Sequence, residues 1–253
     1  MKLFFRELGE GQALIILHGL FGSSDNWLTI GKILSESYKV YLVDQRNHGQ
    51  SPHSDVFNYS SMAADLEEFI SKQQIKNPII IGHSMGGKTA MQYAVDNPNS
   101  WKKLVVVDIA PKAYPVHHDA ILSGLEALIL STLSSRNEAD KSLTQYIPEF
   151  GVRQFLLKNL SRDSEGFKWK INLPVISENI EIIGEGISGS LKESKSVLFI
   201  RGEKSDYIKD SDFTLIKECF PGAVIETISE AGHWVHAEQP ENFIETLSIF
   251  LSK

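Results

Sequence analysis

Cysteine is almost absent from this sequence, since Cys219 is the single thiol among 253 residues. One cysteine cannot form an internal disulfide, and metal sites built from several thiolates are excluded. No motif around Cys219 supports a role as nucleophile, so we interpret it as an ordinary helical residue. Such sparing use of cysteine is typical of a reducing compartment, and we expect a cytoplasmic protein.

Long apolar runs and an excess of positive charge are missing as well. No run approaches the roughly 20 residues that a membrane helix needs, and the start MKLFFRELGEG lacks the apolar stretch of a signal peptide. We therefore expect a soluble protein without a membrane span. With 25 Lys and Arg against 32 Asp and Glu, the formal charge is -7. A phosphate backbone would be repelled, so nucleic acid is excluded as a partner.

Short apolar runs alternate with helical patterns along most of the chain. The runs are ALIILHG, YKVYLVD, PIIIGHS, KKLVVVDIA, SVLFIRG and AVIETIS, and helices are predicted near residues 26–35, 61–74, 88–95, 213–218 and 242–251. Continuous rather than alternating hydrophobicity indicates strands that are buried on both faces. The pattern predicts an α/β fold, a mostly parallel sheet flanked by helices.

Two segments depart from this alternation. KLFFREL, followed by the turn GEG, predicts an antiparallel hairpin at the sheet edge. Residues 111–193 predict helices without strong strands, so we divide the chain into a core of residues 1–110 and 194–253 and an inserted helical cap of residues 111–193. Parallel sheets bind ligands at the strand ends, where this insertion begins. The alternative is a packing appendage without a role in substrate binding.

The motif G-x-S-x-G occurs in PIIIGHSMGGKTA, with Ser84 at its centre and Gly82 and Gly86 on either side. It follows an apolar strand and opens a helix, which is the context of a nucleophile elbow, a tight turn that lifts the serine hydroxyl out of the sheet. The alternative is a glycine-rich turn in which Ser84 merely caps the helix.

A serine nucleophile needs a base, and His233 in EAGHWVHAEQP is the best candidate, because it follows the last strand and comes after Ser84 in the chain order of α/β-hydrolases. Among the other histidines, His18 and His48 lie in glycine-bearing turns and are predicted to fix loop conformation, and His236 is predicted to pack the last loop. His83 is a variable position of the G-x-S-x-G motif, and the adjacent His117 and His118 lie in the insertion without ligand spacing.

Negative charge that develops on an acyl oxygen needs preorganised donors. One is predicted to be the backbone N–H of Met85, the residue after the nucleophile, and the other the N–H of Leu20 in HGLFGS. Phe21 beside it is a candidate wall of the substrate site, although an aromatic residue there could equally belong to the core.

Several motifs together resemble the YbfF-type esterases of the α/β-hydrolase superfamily: HGLFGSSDNW, DQRNHGQSP, GHSMGGKTA, VVDIAP, GVRQFLLKNL, NLPV and AGHWVHAEQP. The first, third and last are shared by many α/β-hydrolases, whereas GVRQFLLKNL and VVDIAPKAY are more restrictive. The resemblance implies the α/β-hydrolase fold, a helical cap, and hydrolysis of carboxylic esters or thioesters through an acyl-enzyme.

The acid that should orient His233 has two candidates. Many α/β-hydrolases place it after the strand SVLFI in a pattern like G-x-x-D, but Ser205 stands at that position here, one residue before Asp206. Asp108 lies instead at the carboxyl end of the strand after the nucleophile helix, an edge where catalytic groups collect, although a strand-end aspartate could simply cap a turn. The resemblance implies Asp108 as the acid and Ser205 as a fourth, hydrogen-bonding member, and Asp206 stays as the alternative.

The leading hypothesis is thus a serine hydrolase acting on a small-molecule ester or thioester, with no metal and no organic cofactor implied. Carbon–carbon bond hydrolases and cofactor-free perhydrolases use the same serine machinery and remain alternatives. A hydrolase-fold protein that binds small molecules without turnover is the alternative from another class.

Overall fold

A seven-stranded sheet forms the centre of the computed structural model, which describes residues 1–115, 118–164 and 166–253. The strands are β1 (Phe5–Leu8), β2 (Gln12–Leu17), β3 (Tyr38–Val43), β4 (Ile79–His83), β5 (Lys103–Val107), β6 (Leu160–Asp163), β7 (Gly166–Trp169), β8 (Val197–Gly202) and β9 (Ala223–Ile228). The large sheet has the order β1-β3-β2-β4-β5-β8-β9, and each neighbouring pair except β1 and β3 is parallel. The predicted, mostly parallel sheet is confirmed.

The first strand corrects one expectation. β1 does not form a hairpin with β2 but pairs antiparallel with β3, with Phe5 opposite Val43 and Leu8 opposite Val40. The reason is burial: residues Leu14 to Leu17 of β2 are inaccessible on both sheet faces, so β2 lies between β3 and β4. The free edge of β3 is left for the short first strand.

Helices cover both faces of the sheet, as predicted from the sequence. They are α1 (Leu28–Leu34), α2 (Tyr59–Lys72), α3 (Met85–Asp96), α4 (Asp119–Glu126), α5 (Arg136–Leu143), α6 (Phe150–Leu157), α7 (Leu173–Glu178), α8 (Ile180–Gly184), α9 (Phe213–Cys219), α10 (Val235–Glu238) and α11 (Pro240–Ser252). Side chains of α2, α3 and α9 share one apolar cluster, and those of α1 and α11 share another on the opposite face.

The chain between β5 and β8 forms α4 to α8 and a third apolar cluster, which also includes Leu20 and Phe21 from the loop after β2 and Met85 from α3. The sequence predicts helices without strong strands here, and the structure adds one short antiparallel pair, β6 and β7, with Leu160 opposite Trp169. These strands have four residues each and expose much of their surface, so they carry no apolar run that a sequence pattern could detect. The predicted cap boundaries remain a prediction.

Two core side chains bind the end of α8. The hydroxyl of Tyr59 donates to the carbonyl of Ile183 at 2.7 Å, and the ammonium of Lys88 donates to the carbonyls of Gly184, at 3.1 Å, and Glu185. These are carbonyls that a helix C-terminus leaves without intrahelical donors. Lys88 is 1% exposed, and burial lowers its pKa to about 8.

The junction of β4 and α3 has no room for side chains on its glycines. A Cβ on Gly82 would lie 2.2 Å from the carbonyl oxygen of Gly86, and a Cβ on Gly86 would lie 2.4 Å from that of Leu17. These backbones approach so closely that only glycine fits, which fixes where α3 begins. Among the residues that the structure describes, no helix is long and apolar enough to cross a membrane.

Substitution of Gly86 by alanine should therefore destabilise the fold. We expect Gly86→Ala to lower the free energy of unfolding by about 1–3 kcal/mol or more, because backbone must move to admit the methyl group. Gly151→Ala is the matched control, since a Cβ there meets no neighbouring atom within 4 Å. It should stabilise α6 by up to about 1 kcal/mol. Urea unfolding measures both, and equal effects at the two sites would contradict this account.

Lys88 predicts a pH dependence of stability. The unfolded chain binds the Lys88 proton with the ordinary pKa of 10.5, and the folded chain with one of about 8. Between these values the unfolded state holds more protons, so this residue's contribution to stability should rise with pH from about 8 to 10.5.

The measurement is the free energy of unfolding of the wild type minus that of Lys88→Met, followed over this pH range. Lys76→Met, at an exposed position, controls for loss of an ammonium group as such. A wild-type minus Lys88→Met difference that stays constant over the range would contradict the assigned cause.

Candidate active site

Ser84 occupies a strained turn between β4 and α3. Its φ of 53° and ψ of -119° lie where residues other than glycine are rarely found. The turn is held by the main chain, because the N–H of Ser84 donates to the carbonyl of Val107 at 3.0 Å and the N–H of Lys88 donates to the carbonyl of Ser84 at 3.0 Å. This is the geometry of a nucleophile elbow, in which strain presents the hydroxyl at the carboxyl edge of the sheet.

His233 lies in the loop between β9 and α10, and its main chain is fixed on both sides. The carboxylate of Glu238 accepts the N–H of Gly232 at 2.7 Å and that of Trp234 at 3.1 Å. The ring Nε2 of His83 and the carbonyl of His233 are hydrogen-bonded at 2.9 Å. Three contacts from two elements thus hold the backbone from which the imidazole projects.

Asp108 lies directly after β5 with a positive φ of 52° and no solvent exposure of its side chain. Its Oδ2 is 2.8 Å from Nδ1 of His233 and also accepts the hydroxyl of Ser205, while its Oδ1 accepts the N–H of Gly202 at 3.1 Å. A buried carboxylate is costly unless it is well hydrogen-bonded, and three donors meet that need here.

Asp206, the alternative acid, points away from this group. Its side chain is 92% exposed and pairs with Lys209 at 3.1 Å. The preceding residue, Ser205, faces inward to Asp108, and neighbouring side chains on an extended segment point in opposite directions. The structure therefore brings together Asp108, Ser205 and His233 and leaves Asp206 in solvent.

The carboxylate also decides which imidazole nitrogen can act as a base. An ionised Asp108 can only accept hydrogen bonds, so Nδ1 of His233 carries the proton and Nε2 is left as the acceptor. Ser84 and His233 line the same cavity, of about 220 Å³, together with Leu20 and Phe21. The cavity lies between the loops that follow β2, β4, β8 and β9 and the helices α4 and α6.

Tyr207 is a contact of the histidine that sequence reasoning missed. Its ring stacks on the imidazole of His233, with centroids 4.0 Å apart and planes at 23°. Tyr114 holds the same loop, because its hydroxyl donates to the carbonyl of Tyr207 and accepts the N–H of Ala110 at 2.8 Å. No local sequence pattern marks such a stacking partner, because the contact joins two segments that are distant in the chain.

The backbone donors predicted for an oxyanion lie beside Ser84. Met85 is the first residue of α3, where the N–H groups have no intrahelical partner, and Leu20 lines the cavity next to the serine. The neighbouring N–H of Phe21 is already engaged, since it donates to Nε2 of His48 at 3.1 Å. The ring of Phe21 is buried and lines the cavity, in agreement with a wall position.

Two buried histidines fix the loops under the site. His18 bonds to the carbonyl of Gly19 at 2.8 Å and accepts the N–H of Gln45 at 2.9 Å, and His48 bonds to the carbonyl of Arg46 at 2.9 Å. Burial lowers the pKa of His18 to about 4 and that of His48 to about 3. Both rings are neutral at pH 7 and stabilise loop conformation, as interpreted from the sequence.

The remaining histidines have separate surroundings. His236 stacks on Trp27 with centroids 3.9 Å apart, and burial lowers its pKa to about 3. Burial also holds the pKa of His83 well below its ordinary value. His118 lines the cavity of Ser84, and His117 lies outside the described residues.

Within residues 1–115, 118–164 and 166–253, no group of three His, Cys, Asp or Glu side chains could hold a metal ion. Cys219 is half-buried at the end of α9, where burial raises the pKa of its thiol above the ordinary value. Neither observation adds a reactive group to the cavity.

Similar proteins share this arrangement of elements. A family model described as the alpha/beta hydrolase fold matches residues 12–131. The sn-1-specific diacylglycerol lipase ABHD11 of Danio rerio is 40% identical over 252 residues, covering 96% of this chain and 79% of its own. Esterase YbfF of Escherichia coli is 38% identical over 242 residues, covering 94% of this chain and 92% of its own.

Among solved structures, a marine microorganism esterase has 48% identity and a TM-score of 0.96, covering 98% of this chain and 99% of the other. The resemblance to YbfF-type esterases read from the motifs is confirmed by identity along nearly the whole chain. On this evidence the chain belongs to the α/β-hydrolase family.

Proposed function

We propose that this protein is a serine hydrolase that cleaves carboxylic esters and acyl thioesters through an acyl-enzyme. The observation that carries the proposal is the 2.8 Å contact between buried Asp108 and His233, beside a strained Ser84 in one cavity. A serine near its ordinary pKa is a weak nucleophile, and an oriented neutral imidazole supplies the missing base. The names of the relatives, esterase and lipase, support the same reaction class.

In the first step the hydroxyl oxygen of Ser84 attacks the acyl carbon while Nε2 of His233 takes the proton. Asp108 keeps Nδ1 protonated and stabilises the imidazolium that forms, without itself accepting the proton. Ser205 and the N–H of Gly202 hold the carboxylate in place. Ser205 acts through Asp108, so its role is positioning.

The N–H groups of Leu20 and Met85 are assigned to the acyl oxygen as its charge develops. His233 then returns its proton to the departing alcohol or thiol, and water repeats the sequence to release the acid and restore Ser84. Donors that belong to the backbone need no reorganisation during the reaction, because α3 and the loop after β2 hold them in place.

The proposal also includes cleavage of thioesters and a cytoplasmic location. Thioesters present the same acyl carbon to the same serine, so the machinery applies to both substrate classes. The single cysteine supports a reducing compartment. The net charge of -7 argues against nucleic acid or anionic surfaces as partners.

Replacement of the nucleophile separates an enzyme from a binding protein of the same fold. A fluorophosphonate probe should label the wild type, because it reacts with an activated serine hydroxyl, and Ser84→Ala should lose both labelling and hydrolysis of p-nitrophenyl acetate. Ser71→Ala, at an exposed position of α2, is the matched control and should behave as the wild type. A wild type that neither reacts nor hydrolyses esters would overturn the assignment as an enzyme.

The acid is tested by asparagine, which keeps the shape of aspartate but can hold His233 in the wrong tautomer. We expect Asp108→Asn to lower kcat on the order of ten-thousand-fold, by the serine protease precedent. Ser205→Ala removes one hydrogen bond to a charged group and should lower kcat roughly ten- to hundredfold.

Asp206→Asn is the matched control for the acid and should keep nearly full activity, because its side chain lies in solvent. Steady-state hydrolysis of p-nitrophenyl butyrate compares the three variants with the wild type. An inactive Asp206→Asn beside an active Asp108→Asn would exchange the two roles.

A further inference from the structure

Two cavities meet at the proposed catalytic serine, a third adjoins them, and the three differ in size. The first holds about 50 Å³ and is lined by Ser84, Leu20, Met85 and Lys88, with Ile180 and Ile183 from α8. The second is the 220 Å³ cavity that Ser84 shares with His233. The third holds about 560 Å³ and lies next to the second, behind residues of α6 and the loop after β9. We call them the inner, central and outer cavities.

The position of His233 indicates which cavity would hold the alcohol arm of an ester and which the acyl arm. His233 lines the central cavity and does not line the inner one, whereas Met85 lines only the inner cavity and Leu20 lines both. The imidazole must protonate the departing oxygen, so the alcohol arm lies on the side of His233. The acyl arm then points the opposite way, into the inner cavity.

The inner cavity accepts only a short acyl group. Its volume of about 50 Å³ is less than a quarter of the 220 Å³ of the central cavity, which leaves space for a small group only. Part of its wall consists of buried side chains, including Ile109 and Ile183, and the end of α8 is held there by Tyr59 and Lys88. A long acyl chain would have to displace these packed residues.

The outer cavity suits an apolar arm. Aromatic rings of Trp27, Phe155 and Trp234 line it, and its histidines have lowered pKa values, so they are uncharged at pH 7. Its charged groups, Glu149, Lys158 and Glu238, stand among these walls at the ends of α6 and α10. Its volume of about 560 Å³ lies within the usual range for ligand sites.

Phe155 and Trp234 lie where the outer cavity adjoins the central one. Their ring centroids are 5.4 Å apart at an angle of 53°, and both residues line both cavities, as do Gly19, His83 and Val152. Trp234 follows the proposed base directly in sequence. An alcohol arm that extends from the central into the outer cavity would contact this aromatic pair.

The geometry points to a substrate class: esters of short-chain acids with long, apolar alcohols, whose alkyl arm crosses the Phe155–Trp234 pair into the outer cavity. This inference rests on the proposed hydrolase function and adds which arm of the ester is short and which is long. Long-chain acyl esters of small alcohols are the opposite class and become an outcome of the test.

Two matched substrate series measure this selectivity. The first varies the alcohol from ethyl to decyl acetate, and kcat/KM should rise about three- to fourfold for each methylene that enters the cavities, the burial contribution of one CH₂. The second varies the acid from p-nitrophenyl acetate to octanoate, and kcat/KM should fall at least about tenfold by octanoate, the penalty of overpacking.

Gly151→Phe tests the outer cavity directly. Gly151 is an exposed residue that lines this cavity, and a Cβ at its position meets no atom within 4 Å, so a phenylalanine can be introduced there without a backbone clash. The variant should lower the ratio of kcat/KM on decyl acetate to kcat/KM on ethyl acetate at least about tenfold. Asn137→Phe adds the same ring at an exposed position of α5 and should leave both substrates unaffected.

Ile180→Ala tests the inner cavity. It shortens a side chain that lines this cavity and should recover activity on octanoate at least severalfold, whereas Ile129→Ala, at a position that is 66% exposed, should change nothing.

A wild type that prefers octanoate to acetate, or a Gly151→Phe variant that hydrolyses decyl acetate undiminished, would overturn this inference and leave the hydrolase function standing. A wild type that hydrolyses neither series would overturn the proposed function and the inference with it.

Discussion

The carboxylate of Asp108, held without solvent contact, is the constraint on which the rest of the site depends. A buried charge is stable only when its oxygens are hydrogen-bonded, and its donors come from the end of β8, from the loop that follows it, and from His233, 125 positions along the chain. These segments meet only when β5, β8 and β9 lie side by side. Formation of the sheet therefore also aligns the imidazole.

The same region stores strain and balances it with packing. Ser84 and Asp108 both have positive φ values, which cost free energy in residues other than glycine. The surrounding contacts offset that cost: glycines bring β4, α3 and β2 into close approach, Glu238 and His83 hold the backbone at the histidine, and Tyr207 covers its ring. Because many contacts fix these residues, the site is preorganised for catalysis. The choice of substrate then depends on the cavities around it.

Local sequence patterns predicted much of this molecule. Continuous apolar runs gave the parallel strands, G-x-S-x-G gave the turn at Ser84, and a serine in the usual place of the acid directed attention to Asp108. Pairings and contacts between distant segments had no such signal: the partner of β1, the β6–β7 hairpin, the stacking of Tyr207 and the buried ammonium of Lys88. The cavities were equally beyond reach, because helices of the insertion and loops of the core form them jointly.

The hydrogen bond between Asp108 and His233 is the central claim, and the Nδ1 proton of His233 reports on it most directly. In proton NMR of the wild type this proton should give a resolved, strongly downfield signal that slow exchange with water leaves visible, and Asp206→Asn should retain it. Asp108→Asn should lose or shift the signal. A signal that persists unchanged in Asp108→Asn and disappears in Asp206→Asn would contradict the account.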